Sequence, residues 1–96
     1  MTIIYIGQSQ AKPDELDNFR NFLTSVVIAG VQGSEGCQSY QVFQSQDDPT
    51  QFIGIELWTS VEAHRAAVKN IPAENINEFM KLVAGPPKGG YYHIVT

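Results

Sequence analysis

Eight residues, Gln51 to Trp58 (QFIGIELW), constrain this chain more than any other stretch. Side chains alternate across a strand, so Ile53, Ile55 and Leu57 share one face while Phe52, Glu56 and Trp58 share the other. Such a strand carries large apolar groups on both faces. At ~25 cal/mol for each Å2 of apolar surface, leaving either face in water forfeits many kcal/mol and invites aggregation. Helices on one side of the sheet therefore do not suffice, and a second body must cover the other.

The flanking sequence supplies the helices and the remaining strands. Thr2 to Ala11 is β-branched and aromatic at its start with no helical stripe, and reads as a first strand. Pro13 suits the first turn of a helix, and Asp14 and Glu15 complement the positive end of its dipole. Leu16, Phe19, Phe22, Leu23, Val26 and Val27 then recur at three- and four-residue steps, predicting a helix from about Pro13 to Ala29. Gly30, Gly33 and Gly36 punctuate the connection to a second strand over Cys37 to Gln46, which sets Tyr40 and Val42 on one face and Cys37, Ser39 and Phe43 on the other.

The turn residues Asp47-Asp48-Pro49-Thr50 join that strand to the third as a hairpin. Thr59-Ser60-Val61-Glu62 fits a capping box with Thr59 as the cap, opening a second helix that Pro72 breaks and restarts. Ile76, Phe79, Met80 and Val83 form the stripe of the restarted part, and Gly90 to Thr96 reads as a closing strand.

The order is that of an α+β ferredoxin-like split β-α-β sandwich with a four-stranded antiparallel sheet, one domain over residues 1–96. A second copy of the chain is the simplest cover for the open face. Six Lys and Arg against ten Asp and Glu give a formal charge of -4, which offers nucleic acid or an anionic membrane no electrostatic support. No run of apolar residues approaches the ~18 needed to span a bilayer. A single cysteine, Cys37, and no basic leader followed by an apolar run point to a reducing, cytoplasmic setting.

Several segments together resemble the antibiotic biosynthesis monooxygenase (ABM) domain family. They are Gly36-Cys37-Gln38-Ser39-Tyr40, Val42-Phe43-Gln44-Ser45, Asp47-Asp48-Pro49-Thr50, Phe52, Glu56-Leu57-Trp58-Thr59-Ser60, Glu62-Ala63 and Ala84-Gly85-Pro86-Pro87. The resemblance implies a dimeric α+β barrel, two such sheets facing each other across the dimer axis, with a ligand pocket between sheet and helices in each subunit. Domains similar to this one include quinol and polyketide-anthrone monooxygenases, haem-degrading oxygenases and an autoinducer isomerase. Haem-degrading members place an Asn in the first strand and a Trp and a His on the later helices, where this chain aligns Gly7, Ala67 and Asn77. The isomerase histidines align with Ala67 and the region of Pro72, although His64 stands one turn earlier.

Two residues are candidates for proton chemistry. His64 shares the helical stripe of Val61, Val68 and Ile71, which suits a general base or an orienting hydrogen-bond partner, against the plainer role of a partly buried structural histidine. Glu56 shares a strand face with Phe52 and Trp58, where an unpaired carboxylate is pushed toward higher pKa. An ion pair with Arg65, Lys69 or Arg20 of a second copy would instead quench it. Trp58, Tyr40, Phe52, Phe79, Met80 and Tyr91, with Tyr92, are the candidates to wall a flat substrate pocket, as well as ordinary packing residues. Cys37, His64 and His93 lack metal-ligand spacing, and the glycines make no dinucleotide fingerprint, so the expectation is no metal and no cofactor.

The function this implies is a homodimeric, cofactor-independent monooxygenase that oxidises a quinol or phenolic aromatic with O2. An electron-rich phenol, once deprotonated, reduces oxygen itself and needs only a dry pocket and a base. The alternatives are an isomerase of a small hydroxyketone phosphate, for which the basic residues are few and scattered, and a non-catalytic ligand-binding homodimer.

Overall fold

A computed structural model describes residues 2–96. Four strands, β1 (Ile3–Gln10), β2 (Cys37–Gln44), β3 (Gln51–Trp58) and β4 (Lys88–Tyr92), form one antiparallel sheet in the order β2-β3-β1-β4. The helices all join strands across one face of that sheet. A run over residues 13–32 begins as a 3-10 turn at Pro13–Glu15, continues as α1 (Leu16–Phe22), widens to a π-helical turn at Leu23–Val27 and ends as α2 (Ile28–Gln32). After the β2–β3 hairpin come α3 (Val61–Lys69) and α4 (Ala73–Leu82), separated at Pro72. The topology is the ferredoxin-like α+β fold anticipated from the element order.

The register sorts the helix-side face into rows. Phe52 stands opposite Ser9 on β1 and Gln44 on β2. The next row is Val42, Gly54, Gly7 and Gly89, and the one after is Tyr40, Glu56, Tyr5 and Tyr91. At the Phe52 end, Phe52 packs with Phe19, Leu23, Leu82, Val83 and Ala11 into the buried core, the Phe19 and Phe52 rings meeting edge-on at 5.0 Å. A bridge between Ala11 and Val83 and the bond from Ala84 N–H to the Gln10 carbonyl (2.7 Å) tie the end of β1 to the end of α4.

The opposite face carries Ile4, Ile6, Phe43, Ile53, Ile55, Leu57 and Tyr92, by the same register, and no helix among the described residues packs on it. None of these residues is fully buried, and Phe43 and Tyr92 are about half exposed.

Element boundaries differ from the sequence reading in five places. The first strand starts at Ile3 and stops at Gln10, because Ala11 turns away to pair with Val83. Gly30 lies inside α2, and the chain leaves the helix only at Gly33. Gly36 then adopts φ +88°, and a Cβ there would sit 2.7 Å from Ala63 Cβ, so glycine is required by both conformation and space.

β2 ends at Gln44, and a bulge between Cys37 and Ser39 pairs Cys37 with Trp58. Strict alternation had grouped Cys37 with Ser39 and Phe43. The cap of α3 is Ser60, one residue beyond Thr59, its hydroxyl accepting from Ala63 N–H at 3.0 Å. The last strand runs from Lys88 to Tyr92, because its partner β1 ends there: Tyr92 already pairs with Ile4, leaving Ile94 and Val95 exposed.

Candidate functional site

Between the sheet and the helical run lies a cavity of about 170 Å3. The backbone of Gly7 and Gly54, adjacent in register on the two central strands, opens the sheet at this point. Tyr5, Tyr40 and Glu56 line it from the neighbouring row, Phe52 and Val42 from the core side, and Leu23, Val27 and Phe79 from the helices. Leu23 and Val27 are the two ends of the π-helical turn, a widening of the helix often found at functional sites.

Among the described residues Glu56 is the only carboxylate that lines the cavity. Its Oε1 accepts a hydrogen bond from the indole Nε1–H of Trp58 at 2.8 Å, and His64 Nε2 lies 3.8 Å from the same oxygen. Among the described residues no Lys or Arg reaches ion-pair distance of Glu56, so the quenching partners considered from sequence are not in place within the chain. Burial raises the Glu56 carboxyl above the usual range, and the bond from Trp58 opposes that rise. The result is a partly desolvated carboxylate with one strong donor.

His64 is held behind Glu56 by aromatic rings from three strands. Tyr5 of β1 stacks on it with ring centroids 4.1 Å apart and planes 25° apart. Trp58 of β3 and Tyr91 of β4 meet it edge-on, each at 5.3 Å. Tyr91 Oη lies 2.7 Å from His64 Nδ1. With Tyr91 donating, Nδ1 is the acceptor and the ring proton stays on Nε2, facing the carboxylate. Burial, followed by the charge of Arg65, lowers the His64 pKa, which favours the neutral ring. Tyr5 and Tyr40 in the same row are driven upward, Tyr40 strongly, by burial first and by the charge of Glu56 second. Cys37 is driven up by the same two causes in the same order.

Of the residues singled out from sequence, Glu56, Tyr40, Phe52 and Phe79 meet at the cavity. Trp58, Tyr91 and His64 do not line it but form the support behind Glu56. Met80 stands apart: it is 48% exposed and outside the cavity lining, because the turn of α4 that aims Phe79 at the core carries Met80 outward. Tyr92 lies on the helix-free face. The sequence reading did not include Tyr5, Gly7, Gly54, Leu23 or Val27. A glycine inside each of two strand patterns was the available signal, since such a residue marks close approach of another group to the backbone.

Comparison with known proteins bears on this arrangement. The sequence model of the antibiotic biosynthesis monooxygenase family matches residues 2–83. No curated protein sequence matches the chain. Among solved structures, a candidate antibiotic biosynthesis monooxygenase from Chloroflexus aurantiacus J-10-fl is 26% identical, covering 100% of this chain and 95% of its own, with a TM-score of 0.79. A point variant of SnoaB, a cofactor-independent oxygenase from Streptomyces nogalater, is 12% identical and superposes with a TM-score of 0.85 over 99% of this chain and 94% of that one. A conserved protein from Methanosarcina mazei Go1 is 19% identical with the same TM-score, covering 96% and 91%. The two last likenesses show a shared fold. With the family model spanning most of its length, the chain belongs to the antibiotic biosynthesis monooxygenase family.

Proposed function

We propose that the protein is a monooxygenase that oxidises an electron-rich aromatic, a quinol or phenol, with O2, and that Glu56 is its base. The observation that carries this reading is the partly desolvated Glu56 carboxylate, held by Trp58 and backed by His64, on a cavity walled mainly by aromatic and aliphatic side chains and lined also by Gln8, Ser9 and Lys88. Family membership and the likeness to a cofactor-independent oxygenase support the class of reaction.

For a dihydroxybenzene the reaction balances as dihydroxybenzene + O2 → hydroxyquinone + H2O. Glu56 takes the hydroxyl proton, and the phenolate then supplies electrons to O2 and forms a C–O bond at a ring carbon. The peroxide oxygen accepts the proton back, and loss of the ring C–H with O–O cleavage releases water. One oxygen atom enters the ring, and all four electrons come from the substrate. In this scheme His64 is a positioning residue: its Nε2–H faces Glu56, and Tyr91 fixes that tautomer. Among the described residues Lys88 is the only cation lining the cavity, a poor basis for the alternative of a phosphate-bearing isomerase substrate.

The active unit is a homodimer formed through the helix-free face, whose isoleucines and Leu57 have no other cover in the fold. No helix among the described residues is long and apolar enough to cross a membrane. The deciding assay is oxygen uptake by protein freed of metal and flavin, with labelled O2. One labelled atom in the product and one in water, at a rate above buffer, is the expected result. Hydrogen peroxide as the sole reduced product, or a rate equal to buffer on every quinol and phenol, contradicts the reading.

A further inference from the structure

Gly54, Gly7 and Gly89 stand side by side on β3, β1 and β4, so three adjacent strands cross the helix-side face without a side chain. Two of the three are already occupied by tyrosine rings from the neighbouring row. A Cβ on Gly54 would stand 3.1 Å from Tyr40 Cε1, and one on Gly89 would collide with the Tyr5 hydroxyl. Tyr40 is buried, and Tyr5 is held by its stack on His64, so neither ring is free to retreat. Gly7 is different. A Cβ there would meet nothing nearer than Tyr5 Cε2 at 3.5 Å and the Lys88 carbonyl at 3.9 Å, yet Gly7 lines the cavity. It is the one position in the row where the missing side chain leaves space for a ligand.

That space has a definite size. An apolar protein cavity of about 150 Å3 binds benzene. The 170 Å3 here exceeds that by roughly 20 Å3, and since a water needs at least about 10–15 Å3, the surplus takes one or two hydroxyl oxygens, whereas a second fused ring would extend past the lining residues into the open mouth of the cavity. Four aromatic side chains, Tyr5, Tyr40, Phe52 and Phe79, line it, offering faces and edges that favour another aromatic ring over an alkyl chain.

We propose that the cavity takes one aromatic ring, a monocyclic dihydroxybenzene or phenol, in preference to fused two- and three-ring phenols, with Gly7 as the residue that sets this preference. The ring lies over Gly7 and Gly54, and its hydroxyl is at the Glu56 end of the cavity. This rests on the reading of the site as one for electron-rich aromatics but concerns binding, which is measured separately from turnover.

The test is calorimetric titration under anaerobic conditions with hydroquinone, catechol, 1,4-naphthalenediol and anthrone, alongside aerobic oxygen uptake. Wild-type protein is expected to bind hydroquinone or catechol at least tenfold more tightly than either fused-ring compound. Gly7→Val fills the ring's place and should weaken hydroquinone binding at least tenfold in protein whose thermal unfolding shows a cooperative transition. Should Gly7→Val fail to fold, Gly7→Ala adds one methyl group at ordinary contact distance and should still weaken binding several-fold. Val27→Ala, which enlarges the helix side of the cavity, should gain binding of 1,4-naphthalenediol. Fused-ring compounds bound as tightly as hydroquinone, or hydroquinone binding untouched by substitution at Gly7, overturn the proposal. Binding of single rings without oxygen uptake upholds it while refuting the monooxygenase reading, and no binding of any compound refutes both.

Discussion

Replacing Trp58 by Phe isolates the one interaction that lowers the Glu56 pKa. The indole Nε1–H donates to Glu56 Oε1 at 2.8 Å inside a site where Trp58 itself is 1% exposed, so water does not replace the lost donor. Hydrogen bonds to a charged group contribute ~1.5–3 kcal/mol. One pH unit corresponds to ~1.36 kcal/mol, so removing a donor that favours the ionised form displaces the titration upward by about one to two pH units. If Glu56 in its ionised form is the base, turnover rises with pH as Glu56 loses its proton, and this limb moves to higher pH in Trp58→Phe while the plateau is largely kept. Of the other titrating groups near Glu56, His64, which Trp58 also covers, moves in the same direction when that cover is reduced, and the pH profile of His64→Ala separates the two. Tyr5, Tyr40 and Cys37 are all driven up, away from neutrality, and His64 is driven down. The assay is the pH–rate profile by oxygen uptake, run below the melting transition because the smaller ring also costs stability, on the ~0.5–3 kcal/mol scale of most substitutions. A lower melting temperature with an unmoved limb, or a limb moved toward acid, refutes the assignment of Glu56.

Two other outcomes follow from the same structure. Ile55→Asp places a carboxylate in the middle of the helix-free face. Sedimentation should give about 21 kDa for the wild type, twice the 10.6 kDa chain, and a marked shift toward monomer in the variant; a wild-type monomer contradicts the dimer. Glu56→Gln should stabilise the fold by an amount that grows with pH. Because the folded pKa of Glu56 lies above the ~4.3 of a free glutamate, stability is greatest below the free value and falls as pH rises through the folded value. The melting temperature of Glu56→Gln relative to wild type should therefore climb between pH 4 and pH 8, whereas a difference that is flat or falls with pH shows that Glu56 is not desolvated.

The fold was legible because its signals are local and periodic. Alternation in Gln51 to Trp58 matches β3 residue for residue, and Pro72 marks the break between α3 and α4. What alternation does not record is a bulge, since one extra residue at Gln38 reverses which face Cys37 occupies. Strand ends were misjudged where they depend on a distant partner: β4 stops at Tyr92 because β1 ends opposite it, although Ile94, Val95 and Thr96 look like strand residues themselves. At the site, large side chains announced themselves and absent ones did not. Glu56 and His64 stood out as polar groups in apolar patterns. Gly7 and Gly54 matter only as a register pair 47 residues apart in sequence, which single-strand patterns do not reveal. His64 behind Glu56, and Glu56 at the cavity, follow from the third dimension alone.

The central claim is that Glu56 takes the substrate proton and His64 only positions it. Steady-state oxygen uptake with a hydroquinone substrate, measured in parallel for Glu56→Gln and His64→Ala, tests it most directly. Positioned bases contribute ~10²–10⁴-fold, so Glu56→Gln should lose at least about a hundredfold in kcat and the rising limb of the pH profile with it. His64→Ala should keep that limb, displaced, with a smaller loss. A Glu56→Gln protein that turns over at the wild-type rate, or a His64→Ala protein that alone loses the limb, contradicts the account.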